Sequence, residues 1–217
     1  MTIHVYFVRH GQTYLNLYDR IQGWSDAPLT DKGLADADRV ANELKHVKFD
    51  AAYSSDLSRT VITARRILKN NVSIIKEPIQ ESAFREEFFG FYEGAIGPDT
   101  WAEIGKADGL TRFEQFVNRY TLEGARDLIA KSDPFHDAED DQAFWHRFGH
   151  GLNILRQLPD QSTVLVVSHG TAIRSIISKY AKDIDPVAPS NGSITQIDLS
   201  KDQTQVNFYN QLTLTNK

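Results

Sequence analysis

Short, almost wholly apolar runs alternate along this chain with longer stretches in which apolar residues recur every three to four positions. "IHVYFV" (3–8) is the first such run, and a strand so uniformly apolar predicts burial on both faces of a mostly parallel sheet. Residues 30–47 then set Leu34, Ala37, Ala41 and Leu44 on one side behind a Thr30 N-cap, the pattern of an amphipathic helix. "FDAAYSS" (49–55) predicts a second strand, 56–70 a helix with Val61, Ala64, Ile67 and Leu68 on one side, and "VSIIKE" (72–77) a third strand. Further on come a long helix (141–158), a strongly buried strand "STVLVVSHG" (162–170) and a helix at 171–181. Alternating segments at 193–200 and 205–210 read as an antiparallel hairpin closing a sheet edge.

This order predicts an α/β fold, a mostly parallel central sheet flanked by helices. The stretch from about 95 to 140 breaks the strand–helix rhythm. It reads as short helices and loops, with Trp101, Phe113, Phe116, Tyr120 and Phe135 supplying a small core of their own. No internal repeat or linker interrupts the chain, so the reading is one domain over 1–217 carrying a helical lid insertion.

Composition narrows the function. A net charge of −5, with no run of five basic residues, argues against a nucleic-acid partner. The acidic cluster "DAEDD" (137–141) reads as a solvated loop. Cysteine is absent, which removes disulfides, thiol nucleophiles and thiolate metal sites. The N-terminal run lacks a basic flank and is too short for a signal core or a membrane span, so the expected location is cytoplasmic, away from membranes. His146 and His150 lie four apart on a predicted helix, with His136, Asp137 and Glu139 nearby. No glutamate stands between them in the manner of zinc peptidases, and a solvated helix face accounts for them, so no metal site is assigned.

Two strand ends share a design. "VYFVRHG" (5–11) and "VLVVSHG" (164–170) each deliver a histidine and a glycine at the carboxyl end of a buried strand, where open α/β sheets bind ligands. The glycines are expected to leave backbone N–H groups uncovered, and a helix starting near Thr171 would aim its positive end into the same crevice. Arg9 precedes the first histidine. Arg59 sits in the first turn of a predicted helix, unfavourable against the dipole unless an anion lies between them. Together these features describe an anion site. "FREEFFGFYEG" (84–94) adds glutamates among aromatic rings, where desolvation favours a protonated carboxyl group.

"RHGQT" (9–13), "SSDLSRTVITA" (54–64), "REEFFGFYEG" (85–94) and "VVSHGTAI" (166–173) together resemble the histidine phosphatase superfamily, which includes the phosphoglycerate mutase-like enzymes. The resemblance implies a phosphoglycerate mutase-like fold and a phosphohistidine intermediate on His10. Arg9, Arg59 and His169 would surround the phosphoryl oxygens, and Glu86 would protonate the leaving oxygen. Asn16 and the Gly170 backbone, with Thr13 and Gln22, would be further substrate contacts. Glu87 and Glu93 are not at the acid position.

The implied activity is hydrolysis of a small phosphorylated metabolite without metal or cofactor, and the edge hairpin is a candidate face for a homodimer. The alternative is a bisphosphoglycerate-dependent phosphoglycerate mutase. Members of that group carry a paired-arginine stretch mid-chain, whereas Arg112, Arg119 and Arg126 here are scattered. A regulatory protein that binds a phospholigand without turnover would be expected to lack the nucleophile or the acid, and both His10 and Glu86 are present.

Overall fold

The computed structural model describes residues 1–214 and arranges six strands in one sheet: β1 (Thr2–Arg9), β2 (Ala51–Ser54), β3 (Ile79–Gln80), β4 (Thr163–Ser168), β5 (Ile194–Ser200) and β6 (Thr204–Gln211). Their order is β3-β2-β4-β1-β5-β6. The pairs from β3 to β1 are parallel, and β5 and β6 form the expected antiparallel hairpin at the edge.

Helices cover both faces. The α2 (Asp31–Glu43) and α3 (Ser58–Lys69) helices lie on one, where Val40, Leu44, Ala64, Ile67 and Leu68 meet Val8, Leu165 and Val167. The α6 (Asp141–Arg156) and α7 (Gly170–Tyr180) helices lie on the other. There Phe144, Phe148, Leu152, Ile173 and Ile176 meet Val5, Phe7, Val164 and Val166. Successive residues of β1 and β4 thus enter opposite cores, which is why both strands are apolar throughout. Thr30 caps α2 as expected, its hydroxyl accepting from the Gly33 N–H at 3.0 Å.

One predicted strand is displaced. Residues 72–77 form no strand, and pairing passes to the two-residue β3 beyond Pro78. Asn71 explains the shift: its side-chain amide donates to the Leu44 and Val47 carbonyls, and its oxygen accepts from Ser73. The polar anchors are buried while Ile74 is 95% exposed, so this segment folds as a side-chain-tied turn despite its apolar composition.

The short α1 (Tyr14–Leu17) follows β1, and the segment expected as a lid contains α4 (Gly97–Ile104) and α5 (Phe113–Ser132). Its core is shared with the body rather than private to the lid. Trp101 and Phe113 pack with Ile21, Phe89, Tyr92 and Ile129, and Phe116 meets Trp101, while Phe135 lies 67% exposed outside this cluster. The α5 helix is broken at Thr121, whose φ of 63° and ψ of 174° are rarely adopted by residues with a Cβ. The break divides 113–120 from a second half, 122–132, that Arg126 and Ile129 bury against the body. No helix among the described residues is long and apolar enough to cross a membrane.

Candidate active site

The parallel register of β1 and β4 sets Arg9 opposite Ser168, so His10 and His169 leave the sheet side by side. Their ring centroids are 5.2 Å apart. His10 is 3% exposed, and its Nδ1 lies 2.8 Å from the Gly11 carbonyl oxygen. That oxygen can only accept, so Nδ1 carries the proton and Nε2 keeps its lone pair. Burial, with Arg59 and Arg9 close by, holds the imidazole well below its ordinary pKa of 6.5. His10 is therefore neutral, in the tautomer a nucleophile at Nε2 requires.

Arg59, near the start of α3, is fully buried. Its guanidinium donates to the Ser25 and Gly23 carbonyls at 2.8 and 2.5 Å, to Asp26 at 3.2 Å, and to His169 Nδ1 at 3.0 Å. His169 Nδ1 must therefore accept, which leaves Nε2–H to donate to the Ser55 hydroxyl at 2.8 Å. Both ring nitrogens of His169 are thus engaged, and a phosphoryl oxygen can reach one only by displacing Ser55 or Arg59. Arg9 donates to the Pro189 carbonyl. The Nε atoms of Arg9 and Arg59 are both buried without a partner, which fits a site built to receive acceptor oxygens.

Glu86 departs from the simple expectation. Its Oε2 accepts from the Thr171 N–H at 2.8 Å, and its Oε1 from the Ala172 and Glu87 N–H groups at 2.7 and 3.1 Å. The anion expected at the N-terminus of α7 is therefore in large part the protein's own carboxylate. Only Gly170 N–H, at the head of the helix and beside the cavity, stays outside this cap. Burial nonetheless raises the Glu86 pKa, against those N–H groups and Arg9. Since Oε1 already accepts twice, an added proton goes to Oε2. The Glu86 carbonyl is fixed by Trp24 Nε1 and Arg147, each at 2.9 Å.

The two glycines differ: Gly170 keeps the bare N–H that was expected, whereas the Gly11 N–H is taken. Gly11 N–H donates to Thr63 Oγ1 at 3.2 Å, and a Cβ on Gly11 would lie 2.1 Å from the Gly33 carbonyl oxygen. Gly11 is thus required by close backbone packing against the start of α2. At Gly170 a Cβ would meet the Arg9 guanidinium at 3.2 Å, so this glycine lets Arg9 lie over the end of α7.

Asn16 and Gln22 line a cavity of about 190 Å³ with Arg9, Glu86 and Gly170. Thr13 does not. It is fully buried, and its hydroxyl caps α1 and donates to Gln22 Oε1 at 2.6 Å. The residue read as a substrate contact therefore orients Asn16 and Gln22 from behind. Phe89, Trp101 and Phe113 wall the cavity, whereas Tyr92 and Phe135 are not among its lining residues. An outer cleft of about 440 Å³ continues past Arg20 and Arg112.

Several working groups escaped sequence reasoning. Glu93 accepts from the Gly23, Trp24, Ser25 and Phe89 N–H groups, and so holds the loop whose carbonyls orient Arg59. Arg174 lines the cavity against Glu114; the only signal was one cation in the apolar stretch "AIRSII" of α7. Glu87 lies behind Glu86 with fully buried Arg126 at 3.1 Å, and Arg126 continues to Asp141 and Ser175. Among the described residues no group of three or more His, Cys, Asp or Glu is placed to hold a metal ion.

Burial outweighs Arg126 and pushes the Glu87 pKa from 4.5 up to about 7. The folded state therefore binds this proton more tightly than the unfolded chain, and stability falls as pH rises from about 4.5 to about 7. Against Glu87→Gln, the wild type is expected to lose about 2 kcal/mol between pH 5 and pH 8 in urea titrations. A difference that stays constant over that range would contradict the assignment.

Two strand-borne histidines, two buried arginines with unpaired Nε atoms and a desolvated carboxyl group thus meet at one edge of an α/β sheet, an arrangement suited to an anion. The chain belongs to the histidine phosphatase superfamily (branch 1), whose family model matches residues 5–212. It is 32% identical over 177 residues to a 2,3-bisphosphoglycerate-dependent phosphoglycerate mutase of Bartonella tribocorum, spanning 78% of this chain and 77% of the relative. A phosphoglycerate mutase crystal structure from Bacillus anthracis superposes with a TM-score of 0.89 at 30% identity, covering 97% and 94% of the two chains. A phosphoserine phosphatase mutant from Entamoeba histolytica, in complex with phosphoserine, superposes at 0.68 with 25% identity, covering 97% and 98%. Mutases and phosphatases thus both share this architecture.

Proposed function

We propose that the protein hydrolyses small phosphomonoesters through a phosphohistidine, without a metal ion. The observation that carries this reading is the neutral His10, its Nδ1 tied to Gly11 and its Nε2 free, beside two buried arginines with unpaired Nε atoms. Nε2 attacks phosphorus while the P–O bond to the leaving group breaks, and Glu86 gives its proton to that oxygen to release an alcohol. Arg9 and Arg59 neutralise the oxygens of the transferring group, with Gly170 N–H as a further donor. His169, as placed, orients Arg59. Water then attacks phosphorus, its proton passes to Glu86, the N–P bond breaks, and inorganic phosphate leaves neutral His10 behind.

Hydrolysis is preferred to mutase activity because of the cleft. A phosphoglycerate brings a carboxylate as well as a phosphate, and the cation lining the inner cavity beside Arg9, Arg174, is already paired with Glu114. The aromatic wall suits an uncharged organic group instead. The mutase reading is supported by the Bartonella and Bacillus relatives.

The deciding assay measures phosphate release from a panel of phosphomonoesters in EDTA, with acid- and base-quench trapping of labelled enzyme. Release that survives the chelator, with a base-stable, acid-labile phosphoryl-enzyme, is the expected result. Interconversion of phosphoglycerates faster than hydrolysis, on priming with 2,3-bisphosphoglycerate, would replace it with the mutase.

A further inference from the structure

Arg174 projects from the second turn of α7 and is 5% exposed, yet it lines the same cavity as Arg9 and Glu86. Its Nε donates to the Pro186 carbonyl. Its two terminal nitrogens donate in parallel to Glu114, at 2.9 Å to Oε1 and 2.7 Å to Oε2. This is the two-pronged geometry by which a guanidinium recognises a carboxylate. The carboxylate, however, comes from the lid. Glu114 is 51% exposed and belongs to the first turn of α5.

Apolar packing of Phe113 and Phe116 holds that half-helix to its neighbours, but its polar ties to the body are few. Among the described residues, the pair with Arg174 supplies the only hydrogen bonds from 113–120 to the sheet and its flanking helices. Residues beyond the Thr121 break are held by Arg126 to Glu87, Asp141 and Ser175, and by Glu123 to Ser178. A half-buried carboxylate on a separately held half-helix thus fills the position an acidic ligand group would take on a buried cation.

We propose that Glu114 occupies a carboxylate-binding subsite on Arg174 and so selects against phosphomonoesters that carry a second acidic group. The proposal rests on the phosphomonoester reading above. An incoming carboxylate meets a neutralised cation and a like charge, whereas an uncharged group packs on Phe89, Trp101 and Phe113 without opposition. The device is repulsive, and one substitution removes it. Glu114→Gln keeps one acceptor oxygen for Arg174 while freeing much of its charge.

The test compares 3-phosphoglycerate with phenyl phosphate in wild type, Glu114→Gln and the double variant Glu114→Gln/Arg174→Gln. Glu114→Gln is expected to raise kcat/KM for 3-phosphoglycerate by at least about tenfold and to change phenyl phosphate less than about threefold. Adding Arg174→Gln should erase the gain, because the gain requires the guanidinium. Equal changes for both substrates would make Glu114 a simple lid latch and overturn the proposal, as would a gain that survives loss of Arg174.

Binding separates this outcome from failure of the hydrolase reading. Calorimetric Kd values for both ligands in a His10→Ala background need no turnover, and there Glu114→Gln should tighten 3-phosphoglycerate alone. If wild type hydrolyses neither ester but the Kd shift is seen, the hydrolase reading fails while the subsite stands. Unchanged Kd values overturn the subsite.

Discussion

Replacing His10 with alanine is expected to lower phosphate release by about 10⁴-fold or more, with the protein still folded. The residue contributes one side-chain hydrogen bond, to Gly11, so its removal leaves the β1–β4 framework intact. What disappears is the only uncommitted imidazole nitrogen of the pair, since His169 has both ring nitrogens engaged. Circular dichroism should therefore match wild type while the trapped phosphoryl-enzyme vanishes. The wild-type pH profile carries a second signature. Because burial and the two arginines hold the His10 pKa well below 6.5 in the free enzyme, the acid limb of kcat/KM should fall below the range of a free imidazole. Turnover surviving in His10→Ala at more than about a hundredth of wild type would remove His10 as nucleophile.

What the sequence disclosed, and what it hid, follows from the reach of each signal. The buried strands 3–8 and 162–170 were legible because both faces are covered, and their repeated His–Gly endings, which the structure sets side by side, marked the candidate site from position in the chain. The short third strand was obscured because Asn71 and Ser73 tie 71–73 into a turn by long-range bonds to the end of α2. Glu93 is not at the acid position, and no local pattern reveals that it gathers four backbone N–H groups, three of them some seventy positions away in the chain. Thr13, expected as a substrate contact, faces Gln22 instead. Which side of a turn a hydroxyl faces is decided by tertiary packing, and its neighbours in sequence are silent on it. Glycine function was legible in type but not in cause. At Gly11 the constraint is a backbone neighbour, Gly33, twenty-two positions away.

The charges of the cleft form one arrangement. Arg59 is oriented by main-chain carbonyls that Glu93 holds in place, Arg9 lies over Gly170, and Arg174 is occupied by Glu114. The two inner arginines retain an unpaired Nε each, whereas Arg174 spends all three nitrogens on the protein. Attraction for an anion is thereby concentrated at His10. Under the proposed hydrolysis, this field suits one phosphoryl group with an uncharged organic group on the aromatic wall beside it.

Glu86→Gln should separate the acid from the rest of this field. The substitution is nearly isosteric, and the amide oxygen still accepts from one of the Thr171 and Ala172 N–H groups, so the cap on α7 weakens by about 1 kcal/mol without collapse. Catalysis should depend on the leaving group. An alkyl phosphate, whose alkoxide needs a proton as the P–O bond breaks, is expected to lose about 10³-fold in kcat. p-Nitrophenyl phosphate, whose phenolate leaves unaided, should lose far less in the first step. The alkaline limb provides an independent readout. Burial raises the Glu86 pKa above 4.5, so the protonated acid is present below that raised value and lost as pH climbs through it. In the glutamine variant that limb should vanish from the alkyl phosphate profile while the acid limb set by His10 remains. An equal loss for both leaving groups, with the limb unchanged, would assign Glu86 to capping α7 and place the acid elsewhere. Among the remaining carboxylates lining the cavities only Glu114 and Asp19 could then serve, and Glu114 is already bound to Arg174.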